Sequence, residues 1–296
     1  MHRLFNIAAV ALLLTLLFAG CHRKPDAEAS HGSVAEVAKP TLLSFDSVVF
    51  HSHPDGVPSL AIDVSLALPA ADPSNPVSRL LRRNVLTDAL GERFVTSAYS
   101  TDDALVAYVN SLQAEFDKAM EECDLDDGDL GDGSDYMFLW ENELSTTVSN
   151  YSNPILVCKT TGYSYEGGAH GLGGDRYNVY STVTGMPQRL ADVFEPSSLQ
   201  AVARLMRDEL GRMIPASEIG DFSIDEVRPV ENFNVTPDGI TFVFNPYEIA
   251  AYSYGVIEIS LPAAKVRRYI RAESAVAAYF AQLDGDAPAV ALTANH

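Results

Sequence analysis

Between residues 60 and 68 the chain alternates strictly. Leu60, Ile62, Val64, Leu66 and Leu68 are separated by Ala61, Asp63, Ser65 and Ala67. A period of two puts all five large side chains on one face of a strand. Leu43, Phe45, Val48 and Phe50 predict a strand before it, and the turn-rich stretch His51 to Pro58 joins the two as a hairpin. The period then lengthens. Asn75-Pro76 opens a helix that carries Leu80, Leu81, Val85 and Leu90 and stops at Gly91. From Thr101, Leu105, Tyr108, Val109, Leu112, Phe116 and Met120 recur at spacings of three and four, a second helix with one apolar stripe.

After the acidic run Asp124 to Asp135 the pattern returns to strands: Tyr136–Trp140, Leu144–Ser149, Ile155–Thr161 and Tyr177–Val183. A helix capped by Ser197 follows, with Leu199, Val202, Met206 and Leu210 inward. Strands at Phe233–Val235 and Ile240–Phe244 flank the tight turn Pro237-Asp238-Gly239. A strand at Val256–Leu261 leads to a last helix from about Ala263, ending near Arg271 or running to Leu283. Without regular strand–helix–strand alternation, this order predicts an α+β fold with antiparallel sheets and packed helices in two subdomains.

The first residues are of another kind. Met1-His2-Arg3 is a short basic start, and Leu4 to Phe18 are apolar except for Asn6 and Thr15. That run is shorter than the roughly 20 residues a membrane-spanning helix needs. With Ala19-Gly20-Cys21 after it, the segment reads as a secretory signal, and Leu17–Cys21 resembles the bacterial lipobox. The resemblance implies that Cys21 receives lipid on its sulfur and begins the mature chain; Phe18 stands where the pattern usually has Leu. The expected organisation is a signal at 1–20, a tether at 21–40, an N-terminal α+β domain at 41–149, a C-terminal α+β domain at 150–283 and a frayed tail at 284–296. Three residues precede the apolar run, so no cytoplasmic domain is expected.

Charge narrows the partners. The chain of 296 residues holds 20 basic and 40 acidic residues, a formal charge of −20. Nucleic acid needs a basic footprint and is excluded as the expected partner. A hydrophobic fraction of 47% against 20% charged residues fits a packed globular protein rather than a disordered one. Beyond Cys21, Cys123 and Cys158 either pair in an oxidising compartment or stay as separate thiols.

Four groups carry candidate chemistry. His170, in the glycine-rich turn Gly167-Gly168-Ala169-His170-Gly171, is a base or ligand if a second group joins it, and otherwise a packed turn residue. His51 and His53 share one strand face, a spacing that suits zinc or copper, but they need remote ligands; without these the segment is a hairpin turn. The run from Asp124 and Asp126 to Asp135 has the hard oxygens of a calcium loop but misses its register, with Asp129 where glycine is required. Tyr247, Tyr252 and Tyr254 offer either a sugar- or peptide-binding surface or the rings of an ordinary bend.

Two stretches carry a family resemblance. One is Tyr163–Gly171 followed by Leu190-Ala191-Asp192-Val193-Phe194. The other is Asn232–Val235 followed by Phe242–Tyr252, with Ala251 where proline is usual. Over roughly residues 150–272 the chain resembles the RsiV-like family, domain of unknown function 3298. Residues 41–149 resemble its frequent companion, domain of unknown function 4163, by order of elements. The resemblance implies a place on the outer side of bacterial membranes. It implies kinship with anti-sigma factors that sense lysozyme and with modules beside peptidoglycan deacetylases. The expectation is an outer-membrane lipoprotein facing the periplasm or exterior. It would be a non-enzymatic binding or sensing module for a lysozyme-like protein or peptidoglycan, needing no cofactor. The alternative is a peptidoglycan-directed hydrolase or deacetylase accessory using His170.

Overall fold

A computed structural model describes residues 43–123 and 135–285. Cys21, Asp124 and Asp126 lie outside them. Two hairpin strands come first, β1 (Phe45–Ser52) and β2 (Ser59–Pro69). Helices α1 (Pro76–Leu90), α2 (Glu92–Val95) and α3 (Thr101–Glu122) follow. A 3₁₀ turn at Asp135–Phe138 leads into β3 (Leu139–Ser152), then β4 (Ile155–Glu166) and β5 (Leu172–Ser181). The second half holds α4 (Leu190–Val193), α5 (Leu199–Met213), β6 (Phe233–Thr236), β7 (Gly239–Phe244), β8 (Ile257–Pro262), α6 (Ala263–Val266) and α7 (Ala275–Leu283).

The fold is α+β. Strands β1 to β5 make one sheet in chain order, antiparallel except for the parallel pair β2–β3 that the helical crossover α1–α3 requires; β6, β7 and β8 make a second, antiparallel sheet. Local chemistry sets the helix ends. The Asn75 side chain accepts hydrogen bonds from the amides of Val77 and Ser78 at 3.0 and 3.3 Å, and Pro76 needs no acceptor there. Ser100 caps α3 through the amide of Asp103.

Two cores flank the large sheet. The five alternating residues of β2 pack with Leu81, Val85 and Leu90 of α1 and with Leu105 and Phe116 of α3. Strand β4 divides its residues between the cores. Leu156 and Cys158 join that first core, while Ile155 and Val157 join a second one with Met206 of α5, Phe242 of β7 and Tyr279 of α7. The unbroken apolar run Ile155–Cys158 therefore reflects burial on both faces. A boundary at 149/150 falls inside β3, which pairs with β2 and β4, so the large sheet continues across it.

Two expectations are corrected, and one open alternative is settled. Tyr136–Trp140 and Leu144–Ser149 are not two strands: a 3₁₀ turn precedes a single β3, which bulges between Val148 and Asn150. Val148 faces Cys158, but Asn150 faces Val157. The bulge thus turns Asn150 to the second core, where its Nδ2 donates to the Val235 carbonyl at 2.9 Å and to the Tyr279 hydroxyl at 3.1 Å. The last helix is broken. After α6 and a 3₁₀ turn, Ser274 caps a separate α7 through the amide of Ala277. Cys123 and Cys158 do not pair; Cys123 is exposed and Cys158 buried, its thiol pushed up to about 12 by burial and by Asp88.

Candidate functional site

The β4–β5 hairpin tip is built on two close approaches. Gly167 has φ 77°, and a Cβ there would lie 2.1 Å from the Met137 carbonyl oxygen. At Gly171 a Cβ would lie 2.3 Å from the Tyr163 hydroxyl, so the glycine lets that ring lie across the backbone. His170 is left exposed beside them, not packed inside the turn. Its Nδ1 stands 2.9 Å from the Gly171 carbonyl oxygen. A carbonyl only accepts, so Nδ1 carries a proton, and in the neutral ring Nε2 is the acceptor. That Nε2 faces the Tyr247 hydroxyl at 3.4 Å. The imidazole stacks on Tyr252 with centroids 4.1 Å apart, and the Tyr252 hydroxyl donates to the Gly171 carbonyl at 3.0 Å.

Tyr247 completes the patch. Its ring is 5.7 Å from that of Tyr252, and the residue is 60% exposed. Among the described residues it is the one non-glycine with positive φ, at 72°. That conformation costs an L-residue roughly 1–2 kcal/mol, and the surrounding turn imposes it. Glu248 accepts from the Asn245 amide through Oε2 at 2.9 Å, and the Glu248 amide donates to the Asn245 carbonyl at 3.1 Å. Tyr254 is not part of the patch. Its hydroxyl donates to Asp221 at 2.7 Å, which pushes its ionisation up to about 12, and its ring lies against Phe222.

Asn245 also closes the outer edge of β5. Its Oδ1 accepts from the Asp175 amide at 2.8 Å and its Nδ2 donates to the Asp175 carbonyl at 3.1 Å. Asn232 donates to that carbonyl and accepts from the Tyr177 amide, each at 2.8 Å. Farther along, Gln188 donates to the Val179 carbonyl and Ser181 donates to the Met186 carbonyl. Two asparagine amides thus stand in for a neighbouring strand. Gly174 makes room, since a Cβ there would come 2.7 Å from Asn245 Oδ1.

Away from the second core, the same sheet face carries a polar row. His51, Asp63, Glu143, Tyr163 and Gly173 are successive register partners from β1 to β5. The row ends where Tyr163 covers Gly171, beside the aromatic patch. A shallow depression of about 140 Å³ is lined by His51, Asp63, Ser65, Glu143, Thr161 and Tyr163. Hydrogen bonds from His53 and His51 hold the Asp63 carboxyl below the usual carboxylate range. Loss of solvent and the nearby Glu141 carboxylate raise the Tyr163 phenol. Among the described residues, His51, His53 and Asp63 are the one set of three whose metal-ligating atoms converge.

Sequence reasoning brought His170 forward apart from the group Tyr247, Tyr252 and Tyr254, and the fold joins it to the first two tyrosines but not to Tyr254. It missed Asp63, Glu143 and Tyr163 as site residues. The signal for Asp63 was present: it is the charged residue on the polar phase of β2, and the hairpin folds it opposite His51.

The stretch from residue 191 to 264 matches the family described as "Protein of unknown function (DUF3298)". Residues 191–264 are a DUF3298 domain. It contains α5, β6 to β8, the edge-closing asparagines and all three tyrosines, while the His170 turn lies before it. A DUF3298-family crystal structure from Bacteroides fragilis is similar to this chain with a TM-score of 0.65 at 20% identity, covering 78% of this chain and 95% of that one. Another, from Pseudomonas aeruginosa PAO1, gives 0.52 at 16% identity, covering 78% and 96%. These likenesses establish the fold around the DUF3298 domain. No curated protein matches the chain.

Proposed function

We propose that the chain is a bacterial outer-membrane lipoprotein. It is anchored through Cys21, and its folded part is a non-enzymatic module that binds a cell-wall-related ligand, a lysozyme-like protein or peptidoglycan. The RsiV-like and 4163-like resemblances and the lipobox segment support the placement. The observation that carries the binding reading is Tyr247, held exposed at a backbone conformation that costs energy, beside the stacked His170 and Tyr252. Strain kept at an exposed aromatic serves recognition better than folding. His170 spends Nδ1 on a carbonyl and turns Nε2 to a phenol. Its ring is therefore held as a stacking surface, while a hydrolase would need it coupled to a carboxylate and a water. The charge of −20 favours a basic protein ligand by long-range attraction.

Calorimetric titration of the full chain against a lysozyme, beside sedimentation with purified peptidoglycan, tests the reading. Binding of one of the two is expected, weakened at least about tenfold in Tyr247→Ala, as for a hot-spot aromatic. Binding of neither, or equal binding by the folded variant, overturns it.

A further inference from the structure

We propose that His51, His53 and Asp63 form a binding site for one divalent transition-metal ion of the zinc or copper class, with an open coordination position over the depression that reaches Glu143 and Tyr163. The site follows from the hairpin. His51 in β1 and Asp63 in β2 are direct register partners. His53 stands two residues beyond His51, the spacing that returns a side chain to the same side of an extended chain. His51 Nδ1 reaches Asp63 Oδ1, and His53 Nε2 reaches the other oxygen at 2.8 Å. One carboxylate therefore holds two imidazoles with their ligating nitrogens turned inward. The three ligand atoms lie within 4.8 Å of one another. An ion about 2.0–2.2 Å from each is reached by small side-chain rotations.

The donor set decides the class of ion. Two imidazoles and one carboxylate suit zinc or copper, whereas calcium and magnesium prefer all-oxygen sets. Before the ion binds, each neutral ring points its N–H at Asp63. To ligate, the ring's proton moves through water to its other nitrogen, and a ring that is protonated releases a proton. Both histidines are more than half exposed, so the ion has a direct path in. Glu143 is the register partner of Asp63 on β3 and lines the same depression, adding negative charge beside the open position. A surface ion pair needs no second imidazole on the same carboxylate, and that redundancy argues for a ligand set.

The test uses the EDTA-treated full chain titrated calorimetrically with zinc chloride, with calcium chloride as the control cation. One zinc per chain is expected. Asp63→Asn and His53→Ala should each weaken zinc at least about tenfold, with near-ultraviolet circular dichroism unchanged; loss of a partner that only supports a ligand already costs 10–100-fold. His170→Ala should leave zinc affinity as it was. Copper in place of zinc should show nitrogen hyperfine splitting in electron paramagnetic resonance, reduced in His53→Ala. The proposal falls if no zinc binds. It falls equally if Asp63→Asn and His53→Ala bind zinc as tightly as wild type, because the ion would then sit on other histidines. Calcium that displaces zinc at equal concentration would overturn the assigned class.

Discussion

Tyr247 is where the proposed binding role and the cost of folding meet. Glycine at this position would relieve the positive φ. Tyr247→Gly should therefore raise stability by about 1 kcal/mol in chemical denaturation, while the proposed ligand binding falls at least about tenfold. A loss of stability would mean that the ring's stacking outweighs the strain. Lys159 gives a second test. Its Nζ lies 2.9 Å from Asp175, and that hydrogen bond raises its ionisation in the fold. A raised lysine stabilises the fold fully below its unfolded value, about 10.4, and the contribution fades as pH rises through the folded value. The stability gap between wild type and Lys159→Met should hold steady at neutral pH and narrow above about pH 10.4; urea melts from pH 7 to 11 would show it. The sequence shows that both residues exist, but a positive φ and a cross-strand ion pair arise only when a turn or register is in place.

At the scale of elements, the asparagines at the β5 edge make the sharpest prediction. Asn245→Ala removes the acceptor for the Asp175 amide and one donor to its carbonyl. Stability should fall by about 1–3 kcal/mol, the cost of unpaired backbone groups. Hydrogen exchange should speed most at Asp175 and less at Tyr177, which Asn232 still holds. Equal exchange in wild type and variant would show that water already serves that edge. The elements themselves were largely legible. The period of two in β2, the Asn75-Pro76 start and Gly91 stop of α1, and the 3,4 spacing in α3 each depend on near neighbours. Three features were hidden because they depend on distant pairing. The bulge at Ser149 leaves no mark in composition, the Gly167–Gly171 tip extends both strands beyond their apolar runs, and α7 separates from α6 where Ile270 bridges to Phe194 and the Arg271 amide donates to the Val193 carbonyl. The site was legible in parts: each aromatic could be named, but their meeting required the β5 edge to receive the 245–252 loop.

For the whole molecule, the proposed anchoring and the cooperativity of unfolding are the measurable properties. Cys21→Ser should release the protein from membranes, since two acyl chains hold stably where one is marginal; the check is fractionation after a high-salt wash, and retention of the variant would refute lipid attachment. Residues 43–285 should unfold in a single calorimetric transition, because β4 and β5 contribute alternate side chains to both cores. Two resolved transitions would mean that the cores are independent. The shared strands bear also on how such a protein is assembled over evolutionary time. The stretch 191–264 supplies one wall of its core, and Ile155, Val157, Tyr177 and Val179 supply the facing one. Cut out alone, it would present that wall to water and collapse or aggregate. The span that a family comparison detects is thus smaller than the unit that heredity can transplant: a gene acquiring this stretch must also bring a strand pair to lay against it.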